Sequence, residues 1–144
     1  MNWMLYILAL LSGVVLAVQA AINGGLGKRI GAMEGAFVSF SVGTLALFVA
    51  VLVIGKGTFP SITGIPKFQL TGGLLGACYV AISVMIVPKL GVASALTAAI
   101  VGQLMMGSVI DHFALFGGKQ IAFDMKRALA LVLMGVGLYL FYKK

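Results

Sequence analysis

Cysteine, histidine and acidic residues are scarce in this sequence of 144 residues. The single cysteine, Cys78, excludes an intramolecular disulfide and a cysteine-based metal cage. The single histidine and the three carboxylates do not have the spacing of a nucleophile with its base, or of a metal-ligand motif. The sequence therefore predicts no enzyme active site, no metal site and no other cofactor.

Charge is equally scarce, since charged residues make up 9% of the chain and hydrophobic residues 62%. With a mean hydropathy of +1.17, the chain has too little polar surface to cover a water-soluble domain of this size. It is therefore predicted to be an integral membrane protein whose main contact is the lipid bilayer. The ten basic residues stand singly or in pairs at the ends of apolar segments, which favours membrane-edge anchors over a nucleic-acid surface.

Long apolar runs are what the sequence has instead, and five of them contain no charged side chain. A helix that spans a bilayer needs about 20 such residues. We expect Gly24, Gly25 and Gly27 to end the first helix and Pro88 to end the third. The first run is predicted to be a helix and not a signal peptide, because no basic residue precedes it and it is long. The predicted spans, in one transmembrane domain over 1–144, are about 3–25, 33–54, 69–88, 92–112 and 127–142.

Amide side chains interrupt two of the apolar helices. Gln19 and Asn23 are four residues apart, so they share a face of the first helix. Burying an amide in the hydrocarbon costs free energy unless the amide contacts a polar partner, a hydrated cavity or a ligand. The same cost applies to Gln103 in the fourth helix. We therefore predict a substrate-binding site, whose candidate residues are Gln19, Asn23, Ser39, Tyr79, Ser83 and Gln103.

Small residues recur at helical spacing in the second and third helices. Gly72 and Gly76 share a face with Tyr79 and Ser83 through steps of four, three and four residues. Stripes of small residues let neighbouring helix backbones approach closely. The residues predicted to serve helix packing are Gly35, Gly43, Gly72, Gly76, Gly107 and Gly135.

Three titratable side chains lie at helix ends and are candidates for proton coupling. Asp111 and His112 are adjacent near the end of the fourth helix. One interpretation is an interfacial carboxylate that pairs with His112 or a nearby lysine; the other is a proton relay. Glu34 opens the second helix, where it can complement the helix dipole and pair with Lys28 or Arg29, or take part in proton coupling.

The basic residues divide equally between the two sides of a five-helix arrangement. Because the positive-inside rule then favours neither orientation, we expect a chain that inserts in both. The predicted assembly is an antiparallel homodimer, or a heterodimer with an oppositely oriented paralogue. Such a pair has the inverted symmetry of secondary transporters, while a parallel dimer or a monomeric accessory subunit is the alternative. One side has Lys56, Lys67, Lys119, Lys126 and Arg127, and the other has Lys28, Arg29, Lys89, Lys143 and Lys144.

Several short motifs, spread over nearly the whole chain, resemble the YdcZ-like family of the drug/metabolite transporter superfamily. The resemblance implies a five-helix protein of the bacterial inner membrane, equivalent to half of a ten-helix transporter with inverted repeats. The motifs are Gln19-Ala20-Ala21-Ile22-Asn23, Gly27-Lys28-Arg29, Val38-Ser39-Phe40, Gly73-Leu74-Leu75-Gly76-Ala77, Val87-Pro88-Lys89-Leu90-Gly91, Gly102-Gln103-Leu104 and Asp111-His112-Phe113.

The predicted function is transport of a small polar or amphipathic solute by alternating access in an antiparallel dimer. Small multidrug resistance proteins, which are related to this family, keep a carboxylate in the middle of their first helix. Here Gln19 and Asn23 stand in that helix, which argues against simple proton/cation exchange. The alternative is a non-transporting assembly or regulatory subunit, in which the amides only join helices.

Overall fold

The computed structural model describes residues 3–57 and 59–143, and within these ranges it contains helices and no strand. All five long helices are long and apolar enough to cross a membrane, which confirms the predicted all-α fold with five spans. Short 3-10 helices cover Phe59–Gly64, Lys67–Thr71 and Leu115–Gly117. The α-helices are α1 (Trp3–Ile30), α2 (Ala32–Ile54), α3 (Gly72–Leu90), α4 (Val92–His112) and α5 (Met125–Tyr142).

Two helices continue past the residues that we expected to end them. The helix α1 runs through its glycines to Ile30, so Lys28 and Arg29 lie in its last turn. Basic side chains are favourable there because they face the negative end of the helix dipole. Likewise α3 includes Pro88 and ends at Leu90. Inside a membrane an interrupted helix would leave backbone groups without partners, so helical structure persists through residues that break soluble helices.

Single glycines make the sharp turns between consecutive helices. Gly31 separates α1 from α2 with φ +104°, and Gly91 separates α3 from α4 with φ +81°. These values lie in the region that glycine occupies without a steric penalty. The backbone N–H of Gly31 still donates to the carbonyl of Gly27, and the carbonyl of Gly31 accepts from the N–H of Gly35, so Gly31 itself is hydrogen-bonded to both helices.

The chain divides into two compact units, Met1–Lys89 and Leu90–Lys144. In the first unit the buried core consists of Ala36, Val80 and Val84, so α2 and α3 pack together. Val84 is the most enclosed of these, with 2% of its surface exposed. Most large apolar side chains elsewhere on the helices are exposed in the single chain, as expected of surfaces that contact lipid or another protein.

A notch made by two glycines brings the three helices of the first unit together. A Cβ atom placed on Gly35 of α2 would lie 3.1 Å from the Gly27 Cα atom of α1. A Cβ atom on Gly27 would overlap Cγ1 of Val84, and one on Gly24 would lie 3.0 Å from Cγ1 of Val87. The side chains of α3 therefore fill space that exists only because α1 has glycines at these positions.

The second unit is an antiparallel pair of helices. The hydroxyl of Ser94 near the start of α4 donates to the carbonyl of Phe141 near the end of α5, at 3.4 Å. At the other end, Asp124 caps α5 because its Oδ1 accepts from the backbone N–H of Arg127 at 2.9 Å. The connection between the helices passes through left-handed conformations at Ala114 (φ +50°) and Phe116 (φ +59°).

Candidate functional site

The two amides of α1 lie in different environments. Asn23 is 6% exposed and is the one buried polar side chain within residues 3–57 and 62–143. It precedes Gly24, which packs against Val87. Gln19, one turn earlier, is exposed at the surface of the single chain. An exposed amide in the middle of a spanning helix requires a polar partner that the first unit does not provide on that surface.

The other candidates of the first unit are half-buried or exposed. Ser39, Tyr79 and Ser83 are half-buried, and Tyr79 packs beside the core made by Ala36, Val80 and Val84. Glu34 is exposed, and its carboxylate folds back over Gly31.

The expected pairing of Glu34 with Lys28 or Arg29 was wrong. Among the residues that the structure describes, the one ion pair joins Asp111 to Arg127. The carboxylate of Glu34 instead lies over the turn at Gly31, beside the first turn of α2, where the helix dipole favours negative charge.

In the second unit, Gln103 opens into a cleft between α4 and α5. The cleft has a volume of about 260 Å³. Gln103 is exposed, and Asp111 lies two turns further along α4 in the same cleft. The remaining lining residues are Leu104, Gly107, Ser108, Arg127, Ala130 and Leu131.

Asp111 forms an ion pair with Arg127, a partner that was not predicted from the sequence. Nη1 of Arg127 donates to Oδ2 of Asp111 at 3.1 Å, and the two side chains are 32% and 40% exposed, respectively. The interpretation that pairs Asp111 with His112 or a nearby lysine was wrong about the partner, which is Arg127. His112 is adjacent to Asp111, so its side chain points in a different direction on the helix. The backbone carbonyl of Asp111 also accepts from the N–H of Ile121 at 2.9 Å, which draws the connection back onto α4.

His112 has a fixed hydrogen-bonding role at the end of α4. Its Nδ1 accepts from the backbone N–H of Phe123 at 3.2 Å, and its carbonyl accepts from the Gln120 side chain at 3.3 Å. Because a nitrogen that accepts a hydrogen bond has no proton, the neutral ring is protonated at Nε2. The ring also packs edge-on against Phe113, with 4.8 Å between the ring centroids.

His112 lines a second, larger cleft, whose volume is about 710 Å³. Its walls are mainly apolar and include two methionines and two phenylalanines. Flexible, polarizable methionine side chains adapt to apolar molecules of different shapes. The lining residues are Gly102, Met105, Met106, Ser108, Val109, His112, Phe113, Phe123 and Leu131.

The glycines predicted to serve packing fall into two groups. Gly35 lies against Gly27, and a Cβ atom on Gly76 would lie 3.4 Å from the Phe40 ring. The others leave open space, since an added Cβ atom would meet no described atom within 4 Å. These open positions are Gly43, Gly72, Gly107 and Gly135.

Arg127 was predicted only as a membrane-edge anchor, and its contact with Asp111 was missed. The order of the helices offered a signal for this contact, because consecutive antiparallel helices bring the end of α4 and the start of α5 to the same side of the membrane. Asp111 and Arg127 are the charged residues nearest to those two ends that can reach the space between the helices. The rotation of each helix about its axis decides this contact, and the apolar pattern does not determine that rotation.

Comparison with known proteins gave one family. Residues 4–140 match the family whose description reads "Putative inner membrane exporter, YdcZ". No curated protein and no solved structure was similar enough to be matched. The match agrees with the predicted resemblance and, together with the five apolar helices, with a multi-pass protein of the inner membrane that is a transporter rather than an enzyme.

Proposed function

Since the chain belongs to the YdcZ family of inner membrane exporters, we propose that it exports a small polar or amphipathic solute as one protomer of an antiparallel dimer. The solute site is proposed to lie near mid-membrane and to open alternately to either side. The cleft at Gln103 is the observation that carries this proposal.

Gln103 carries the proposal because its amide is exposed in the middle of a spanning helix. It is the twelfth of the 21 residues of α4, so it lies near the centre of the bilayer if α4 spans it. An amide that faces hydrocarbon without a partner costs roughly 1–3 kcal/mol. A hydrated cleft with a solute removes that cost, because a neutral amide can form hydrogen bonds with a polar solute, although it cannot neutralise a cation.

An antiparallel partner would account for the remaining polar surface. Gln19 is exposed on α1. There is also open space beside four glycines, Gly43, Gly72, Gly107 and Gly135. A second copy could cover these surfaces with close helix contacts. Two inverted copies also supply the symmetry by which secondary transporters expose one site to each side in turn.

Asp111, His112 and Glu34 remain the candidates for proton coupling. A proton on Asp111 would remove the charge that holds Arg127. A proton on Nδ1 of His112 would abolish its hydrogen bond from Phe123. Either event would loosen the connection at the end of α4 and so couple a proton to opening of the cleft.

The orientation of the chain is the first test of the dimer. Reporter proteins that are active on only one side of the membrane are fused after the C-terminus. Activity on both sides is expected of an antiparallel homodimer. Activity on one side alone would contradict the homodimer and would direct the search to an oppositely oriented paralogue.

The solute site is tested by replacing Gln103 with leucine. Liposomes that contain the purified protein are loaded with a small-molecule extract, and mass spectrometry measures which solutes leave. We expect Gln103→Leu to reduce efflux to that of protein-free liposomes, because leucine cannot bond to the solute. The matched control is Gln69→Leu, the same substitution at an exposed position in the 3-10 helix Lys67–Thr71.

Three results separate the hypotheses. Wild-type efflux that Gln103→Leu leaves unchanged would contradict the site. No efflux from wild-type liposomes would contradict the transporter and favour the assembly or regulatory subunit. Loss of efflux in both variants would mean that leucine at either position disrupts the protein, and circular dichroism would show this as lost helix content.

A further inference from the structure

The ion pair between Asp111 and Arg127 occupies one end of the cleft that contains Gln103. We propose that Arg127 binds the carboxylate of a small organic anion. When no anion is bound, the carboxylate of Asp111 occupies the same position beside Arg127. The inference deepens the proposed function by giving the solute a chemical class. Because anion binding is measured without transport, the anion site and the export function can be refuted independently of each other.

Both charges lie at helix ends where the helix dipole does not favour them. Asp111 is in the last turn of α4, where the dipole favours cations, and Arg127 is in the first turn of α5, where it favours anions. Their stabilisation therefore comes from each other. Because both side chains are about a third exposed or more, this mutual attraction is weak, and an external carboxylate can compete with Asp111.

Arg127 has unused capacity to bind an anion. A guanidinium has five N–H donors in a planar fork that matches a carboxylate. One hydrogen bond from it, to Oδ2 of Asp111, is formed within the described part of the chain. The first turn of α5 adds the positive end of its helix dipole to the same position.

The surrounding charges favour an anion over a cation. Besides the pair itself, the connection and the first turn of α5 contain Lys119, Asp124 and Lys126. Asp124 already caps α5 through the N–H of Arg127. Two lysines against one engaged carboxylate leave an excess of positive charge in this segment, which raises the local concentration of anions.

The cleft limits the size of the anion and surrounds its body with apolar walls. Its volume of about 260 Å³ accommodates a molecule the size of benzoate. Arg127 stands at one end, and Gln103 lies about 12 Å from Asp111 along α4, given a rise of 1.5 Å per residue. The walls between them are apolar at Leu104 and Leu131. A carboxylate with a small apolar body therefore fits both the charge and the lining.

The experiment measures equilibrium binding of benzoate to the detergent-solubilised, lipid-depleted protein by isothermal titration calorimetry. Benzamide, the neutral analogue, and benzylammonium, the cationic one, are titrated in parallel. We expect saturable binding of benzoate alone. Preferred binding of benzylammonium, or no preference for benzoate over benzamide, would overturn the proposal.

Variants of the ion pair give opposite changes. Asp111→Asn removes the competing carboxylate and should raise benzoate affinity about two- to five-fold, the worth of an exposed ion pair. Arg127→Gln should abolish the preference for benzoate over benzamide, and Arg127→Lys should weaken it. The control is Arg29→Gln, the same substitution in the last turn of α1, at a residue that does not line the cleft. It should retain wild-type affinity.

Because Arg127→Gln removes the partner of Asp111 and could disturb folding, the gain in Asp111→Asn serves as the independent measurement. An unchanged or reduced benzoate affinity in Asp111→Asn would overturn the proposal. Readdition of phosphatidylglycerol distinguishes a lipid headgroup from a free solute. Benzoate binding that disappears at low phosphatidylglycerol content would show that Arg127 serves a lipid phosphate, which also overturns the proposal.

Discussion

The notch at Gly27 permits a quantitative test of how the first unit is held together. The substitution Gly27→Ala adds a Cβ atom that would overlap Cγ1 of Val84, the most enclosed side chain of the core. Either Val84 leaves its position or α1 and α3 separate. The matched control is Gly13→Ala on the same helix, where an added Cβ atom meets nothing within 4 Å.

The expected magnitude follows from two opposing effects. Overpacking a well-packed site costs about 1–3 kcal/mol. Replacing glycine by alanine inside a helix recovers up to about 1 kcal/mol, and this gain is shared by both variants. The difference in unfolding free energy between Gly27→Ala and Gly13→Ala therefore isolates the packing cost, and we expect it to be about 1–3 kcal/mol.

The assay is unfolding in mixed micelles by increasing sodium dodecyl sulfate, followed by circular dichroism. A second measurement uses Val84→Ala, which vacates the space that the new Cβ atom would take. We expect the double variant Gly27→Ala with Val84→Ala to be more stable than the sum of the single effects predicts. Equal stability of Gly27→Ala and Gly13→Ala, or strict additivity in the double variant, would refute the contact between α1 and α3.

The second unit supports two further predictions by the same unfolding assay. Asp124→Ala removes the cap of α5 and should cost about 1 kcal/mol, whereas Asp124→Asn, which keeps an acceptor, should cost less; equal losses would contradict the cap. Ala114→Gly should stabilise by about 1 kcal/mol, because Ala114 has φ +50°. In contrast, Ala128→Gly inside α5 should destabilise by a similar amount, and stabilisation by both would contradict the assigned backbone.

The number of helices could be predicted from the sequence, and several helix ends could not. Four charge-free runs of about 20 residues or more, and a shorter fifth run at 128–142 whose flanking basic side chains can reach the membrane surface, predict five spans because the hydrocarbon excludes charge. The position of Lys28 and Arg29 inside α1 was missed because long basic side chains reach the interface from within a helix. Pro88 was wrongly expected to end α3, because a proline removes only its own N–H from the helical hydrogen bonds, and α3 continues past it to Leu90.

The candidate site was only partly predictable. The amides of Gln19, Asn23 and Gln103 could be identified from the sequence because they lie inside long apolar runs. Which of them is buried was not predictable, and the structure encloses Asn23 while it exposes the other two. The contact between Asp111 and Arg127 depends on two helix rotations and on the path of the connection, which the apolar pattern of the sequence does not determine.

The spacing of Gly27, Gly31 and Gly35 has a consequence for biogenesis. The contact between Gly27 and Gly35 closes over only eight residues, around the turn at Gly31. Contacts so close in the sequence form quickly. The α1–α2 hairpin can therefore assemble while the ribosome is still synthesising α3. Val84 then enters a notch that already exists, so the order of synthesis matches the order of packing.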